Sequence, residues 1–230
     1  MSGTSNSYAF QLSLGEISQQ ALGRIGLPRG EISAHHVRDA EILGNLILSE
    51  WSNQEPNLWL VDTQVVPLVV GQAVYVVPPT TINILDAYVT LNAGTAYAQD
   101  LIIMPLSRSD YAAMPNKMLP GRTSQFWYDR LIAPTITLWP VPNLQNFILT
   151  YYRTRRAQDA VMANADTVEL PYRFMDAYVA EMAARLAITY APEKAGPLAV
   201  AAAAAYQKAS NQDVEDVPIY ISPSLSGYYR

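Results

Sequence analysis

The chain has 230 residues, half of them hydrophobic and 15% charged, with a formal net charge of −5. It has no cysteine, which excludes disulfide frameworks, thiolate metal sites and cysteine nucleophiles. The acidic balance argues against wrapping nucleic acid, which requires clustered Lys and Arg to neutralise phosphates.

Charged residues make up about 25% of an ordinary globular domain, so the low value here points to an outer surface partly covered by partners. The first residues, MSGTSNSYAF, lack the basic and apolar regions of a signal peptide. The apolar runs fall short of the ~20 residues that span a bilayer.

Ser13 and Glu16 have capping-box spacing, and Leu12 with Ile17 forms a hydrophobic staple. Leu14, Ile17, Ala21 and Ile25 then recur at helical spacing until Gly26 and Pro28 end the run. Ser33 caps a second predicted helix with a stripe of Val37, Ala40, Gly44, Ile47, Leu48 and Trp51. Ile42, Leu43 and Leu46 widen that stripe, so the helix needs cover on more than one side, from this chain or from a neighbouring copy.

From Asn57 the period becomes two. LWLVDTQVVPLVV, QAVYVV, TINILDAYVTL and LIIMPL read as strands broken by Pro and Gly. Val74 to Val77 is apolar at every position, which predicts burial on both faces. Ser107 and Asp110 mark a short helix. Three further strands follow at Gln125–Arg130, Thr135–Trp139 and Phe147–Arg153, with Phe126 and Tyr128 on one face and Trp127 on the other.

Helix character returns at Pro171, where Met175, Val179, Met182, Leu186 and Tyr190 make a stripe. PEKAGP reads as the turn before a last helix over Ala199–Ser210, with Ala201 to Ala205 predicted as a tight helix contact. The tail has two prolines and three tyrosines, which suits an arm docked on another subunit or partner. The predicted fold is α+β: a helical bundle built from N- and C-terminal helices, with an inserted antiparallel β lobe. The divisions are 1–56 and 169–212 for the helices, 57–168 for the β lobe and 213–230 for the arm.

Catalytic signatures are scarce. His35 and His36 are adjacent on a helix and point about 100° apart, so they cannot share a metal as i, i+4 histidines do. There is no Walker loop, no G-x-G-x-x-G and no G-x-S-x-G. A carboxylate pair such as Glu169 and Asp129 would have to converge through folding. The one basic cluster, Arg153, Arg155 and Arg156, fits pairing with a neighbour's carboxylates better than DNA binding. No catalytic, cofactor-binding or metal-ligating residue is expected.

RTSQFWYDR, TITLWPVPN and FILTYYRTRR together resemble the head-to-tail adaptor proteins of tailed bacteriophages, the portal-binding gatekeepers of short-tailed phages. The resemblance rests on Arg122, Trp127, Tyr128, Leu138, Trp139, Pro140, Pro142, Tyr151, Tyr152 and Arg153, and on the helical frame opened by LGEISQQALGRIGL. It implies a structural virion protein, not an enzyme, in a homo-oligomeric ring of about twelve copies. The helices would meet the portal protein, and the β lobe would face tail tube, nozzle or fibre proteins. Genomic DNA would pass through an acidic lumen without specific binding, in the neck of a virion assembled in the host cytoplasm. The expected interface residues are Trp51, Trp127, Tyr128, Trp139, Arg153, Arg155, Arg156, Tyr220, Tyr228 and Tyr229. Rival readings are another ring component, such as a stopper or tail-tube protein, and a tail-associated cell-wall hydrolase.

Overall fold

The computed structural model describes residues 6–54, 58–162 and 167–214. Among them the helices are α1 (Leu14–Ile25), α2 (Ala34–Asn53), α3 (Arg108–Ala113), α4 (Met175–Tyr190) and α5 (Pro192–Ser210). The strands are β1 (Val61–Pro67), β2 (Val74–Val76), β3 (Thr81–Leu91), β4 (Gln99–Pro105), β5 (Pro120–Gly121), β6 (Gln125–Asp129), β7 (Thr135–Trp139), β8 (Val141–Pro142) and β9 (Ile148–Arg155). The architecture is α+β.

Local chemistry sets the helix ends. The Ser13 N–H donates to Glu16 Oε2 at 2.9 Å, and the Glu16 N–H donates back to Ser13 Oγ at 3.3 Å. Gly26 closes α1 at φ 95°, a left-handed conformation that favours glycine, and its N–H and that of Leu27 return to the carbonyls of Gly23 and Leu22. At α2 an imidazole replaces the usual carboxylate of the capping box: the Ser33 N–H donates to His36 Nδ1 at 3.1 Å.

The four long helices share one hydrophobic cluster in which Leu14, Ile17, Ile47, Trp51, Phe174 and Tyr178 are buried. Fully burying each large side chain stabilises by about 2–3 kcal/mol. The stripe on α2 faces this cluster, whereas Ile42 and Leu46 on its other side stay about half exposed. α5 starts at Pro192, with Ala191 alone between it and α4, so PEKAGP is helix and not turn. Pro192 occupies the first turn, where its missing N–H costs no hydrogen bond. Within the alanine run only Ala202 is fully buried, against Ala180 and Ala184, with Ala205 partly covered beside them; Ala201, Ala203 and Ala204 are exposed. The helix contact there is one narrow stripe.

Seven strands form one sheet in the order β1-β9-β3-β4-β6-β7-β2, and β5 pairs with β8. The sheet is mixed, not antiparallel as the sequence suggested. α3 lies in the crossover from β4 to β6 and turns the chain so that those strands run parallel, as do β5 and β8. Alternation was legible: Phe126, Ile136, Leu138 and Tyr151 point into a second core, and Tyr128 packs against it. β2, however, is buried on one face alone. Tyr75 and Val77 face that core, while Val74 and Val76 are exposed because β2 is an edge strand with an open outer surface.

Gly44 sits where α2 crosses α4. A Cβ there would stand 2.7 Å from Tyr178 Oη, 3.2 Å from Met182 Cε and 3.3 Å from Leu14 Cδ1. Alanine favours a helix by up to about 1 kcal/mol, but overpacking a rigid core costs about 1–3 kcal/mol. Gly44→Ala is therefore expected to lower stability in urea unfolding by about 1–2 kcal/mol. Adding Tyr178→Phe removes the crowding oxygen and should recover at least half of that loss. A stabilised Gly44→Ala chain would contradict the packing argument.

Candidate interaction surfaces

The register of β1 on β9 places Asp62 opposite Arg153. Arg153 grips Asp62 with two parallel bonds, Nε to Oδ1 at 2.6 Å and Nη2 to Oδ2 at 3.0 Å. Its remaining amino group donates to Thr81 Oγ1 at 2.7 Å, on β3. Arg155 stands 3.5 Å from the same Asp62 and makes two bonds to Glu169, on the segment leading to α4. Arg156, exposed, pairs with Asp159 at 3.2 Å. The cluster expected to meet a neighbour's carboxylates thus meets carboxylates of its own chain.

These pairs join the sheet to the helices. The segment after β9 is held on α2 by a two-way amide bond between Asn45 and the Ala160 backbone, 2.9 and 2.8 Å, and by the Ala157 N–H donating to Ser52 Oγ. Beyond α5, Asp213 accepts the Leu58 N–H at 3.0 Å and pairs with Arg173. The Arg153 guanidinium bonded to Asp62 holds that carboxyl below its usual value, and Arg155 does the same for Glu169.

The aromatic residues divide by position. Trp51 lies inside the helical core, 5.0 Å from the Tyr206 ring and 5.8 Å from the Tyr178 ring. With Arg153 also buried, these two side chains present little to a neighbour. Trp127 is half-buried on the outer side of β6 and stacks on Tyr111 of α3 at 5.2 Å, with Lys117 over the Tyr111 ring. Trp139 is half-buried and donates Nε1–H to the Asn116 carbonyl at 3.0 Å. Tyr128 donates its hydroxyl to the Thr81 carbonyl at 2.9 Å, and burial pushes its phenol up. Tyr220, Tyr228 and Tyr229 lie outside the described residues.

Sequence reasoning gave no interface role to the exposed crossover around α3, with Arg108, Lys117, Met118 and Arg122, nor to the outward Val65, Ile102 and Met104. The period of two within β1 and β4 was the available signal. His35 and His36 both lie within 2.8 Å of Ser33 Oγ through Nδ1, as helix-cap partners. Among the described residues no group of three or more His, Asp or Glu side chains could hold a metal ion. A cleft of about 400 Å³ between α1 and α2 is lined by Ser13, Ser18, Gln19, Leu22, Val37 and Met162, with no ionisable group among these. No helix among the described residues is long and apolar enough to cross a membrane.

Asp62→Asn would leave the Arg153 charge buried without its counter-charge. The expected loss is about 2–3 kcal/mol at neutral pH, below the value for a fully buried pair because a third of the Asp62 side chain meets water. Both carboxyls are depressed in the folded state. Their stabilisation is therefore complete above the ordinary values of 3.8 and 4.5, and it is lost as pH falls through the lower folded values. The stability difference between parent and Asp62→Asn should accordingly shrink as urea unfolding is repeated towards about pH 3. A gap that stays constant with pH would mean the ion pair is not its source.

The family model described as SU10 adaptor protein matches residues 14–222 of this chain. A search of the curated proteins found no match. The match covers both helical regions and the whole sheet, so the chain belongs to the SU10 adaptor protein family, a family of phage head-to-tail adaptors.

Proposed function

We propose that this chain forms a ring of about twelve copies beneath the portal, extends the DNA channel and offers the tail its attachment platform. The observation that carries this reading is the family match over residues 14–222. As an adaptor of that family it is a structural component of the bacteriophage virion and serves tail assembly. We read the long helices as one bundle that meets the portal, and the sheet as an inserted lobe facing tail tube, nozzle or fibre proteins.

Physical features support this assignment. Ile42 and Leu46 leave an apolar strip on the free side of α2, and large assemblies cover such strips with apolar contacts. Three arginines that could have gripped phosphate, Arg153, Arg155 and Arg156, are each neutralised by a carboxylate of the same chain. A net charge of −5 then suits a lumen through which DNA slides without adhering. Glu169 is engaged by Arg155 and by the Gln158 N–H, contacts that suit a structural strut. The interface residues kept on this reading are Trp127, Trp139, Arg155 and Arg156, with Tyr220, Tyr228 and Tyr229 of the C-terminal arm, whereas Tyr128 packs against the sheet core.

Purified chain mixed with portal particles should give rings visible by negative-stain electron microscopy, and portal alone should pull it down. A chain that ignores portal and stacks into tubes by itself would favour a tail-tube protein. Clearing of peptidoglycan in a zymogram, abolished by Glu169→Gln, would replace the structural role with a hydrolytic one.

A further inference from the structure

The seven-stranded sheet curls around a single core. Val89, Leu149 and Tyr151 from β3 and β9 lie in the same cluster as Tyr75, Phe126 and Leu138 from β2, β6 and β7. Tyr128 at the end of β6 reaches across to the Thr81 carbonyl on β3, and Arg130 donates to Asn83 Oδ1 at 2.7 Å. Side chains alternate across each strand. The outer surfaces of the two halves therefore point away from one another.

Those surfaces differ in chemistry. On the β1-β9-β3-β4 half, the cross-strand register lines up Val65, Thr150, Tyr88 and Ile102 in one row on the outer side, with Thr150 itself buried between its neighbours. Ile102 is 79% exposed, and Val65 and Met104 are each 61% exposed. The outward charges of this half are Asp86 and Asp100; no Lys or Arg stands in an outward position of its four strands. Asp100 accepts the Thr90 hydroxyl at 2.6 Å.

The other half carries the crossover between β4 and β6, seated on β6 and β7 through Tyr111 on Trp127 and Asn116 on Trp139, while β2 at the edge keeps Val74 and Val76 exposed. This crossover carries Arg108, Lys117 and Arg122 against one acid, Asp110, and Asp110 is taken up by the Ser107 cap. Arg108 and Arg122 are exposed and have no ion-pair partner among the described residues. Met118 and Leu119 are exposed in the same segment. A basic, aliphatic projection thus stands on one side of the curled sheet and an acidic, aliphatic face on the other.

We infer that these are the two halves of one contact between copies of this chain: the crossover of one copy seats on the β1-β9-β3-β4 face of the next. Two different patches directed away from each other make a heterologous contact, which repeats from copy to copy and gives a ring when the rotation between copies closes. Apolar side chains supply the contact area, and opposite charges fix its register and exclude the reverse pairing. The inference rests on the ring reading and adds to it the identity of the faces that meet.

Charge reversal tests it in the full-length chain. One variant carries Asp86→Lys and Asp100→Lys; the other carries Arg108→Glu, Lys117→Glu and Arg122→Glu. Each alone should self-associate at least about tenfold more weakly than the parent by analytical ultracentrifugation, since both faces then bear one sign. An equimolar mixture should regain assembly, because each basic crossover again finds an acidic face and each acidic crossover a basic one. Variants that assemble as the parent does would overturn the face assignment while leaving the ring intact. The same holds if they lose portal binding alone, which would give the face to another protein. A parent chain that stays monomeric, with and without portal, would sink the ring reading itself.

A second measurement does not depend on the reversed chains folding. The parent has no cysteine, so Ile102→Cys and Met118→Cys chains can be mixed and treated with a short bis-maleimide. The expected product is a 102–118 heterodimer, absent when Val200→Cys on exposed α5 replaces Ile102→Cys. Equal yields with the Val200→Cys control would refute the contact.

Discussion

The join between sheet and helices depends on one chain of charges. β9 lies between β1 and β3, and its inward arginines leave the sheet at the end nearest the helices. Arg153 would be costly there without Asp62 and the Thr81 hydroxyl, because a buried guanidinium needs both a counter-charge and acceptors for its hydrogens. Arg155 carries the linkage onward to Glu169, which also accepts the Gln158 N–H. Asp62, Arg155 and Glu169 connect residues from three separate parts of the sequence. With Asn45 on Ala160 and Ser52 on Ala157, they give polar cover to the backbone that passes from the last strand towards α4.

The features readable from the sequence were those set by near neighbours. The capping box of Ser13 and Glu16, the left-handed Gly26 and the Ser107 cap of α3 each need a span of a few residues. The opposite faces of Tyr151 and Tyr152 follow from the pleat. What escaped were the long-range pairings. Nothing within β9 announces that Arg153 will face Asp62, and nothing in LIIMPL or QFWYD announces parallel pairing, which the crossover imposes. Trp51 shows the same limit: helical spacing marks a buried stripe, but not whether the cover comes from the chain itself, as it does here through Phe174, Tyr178 and Tyr206. Val74 and Val76 erred the other way, since an apolar residue on an edge strand need not be covered by its own chain.

The low charge content becomes intelligible when charges are sorted by partner. Arg24, Arg153, Arg155, Arg156, Arg173 and Arg185 are paired with carboxylates inside the chain. The positions of the charges left without an ion pair then matter more than their number. Arg108 and Arg122 stand on the crossover, and Asp86 stands on the opposite sheet face. A freely soluble monomer would gain by mixing both signs on every face. Segregation to opposite sides instead leaves each copy unsatisfied alone and complementary to its own kind.

That segregation also bears on why an enclosed apolar core coexists with so many exposed aliphatic side chains. The curled sheet buries Tyr75, Ile136, Leu138 and Tyr151 fully enough to hold its shape, so Ile102, Val65 and Met104 are not needed for folding. Exposed aliphatic residues on an open strand face invite indiscriminate pairing unless charge restricts the partner. Asp86 and Asp100 supply that restriction on one face, and the crossover bases supply its counterpart. On the inferred contact the acidic balance of the chain acts locally: Asp86 and Asp100 admit to the sheet face only a surface carrying the opposite sign.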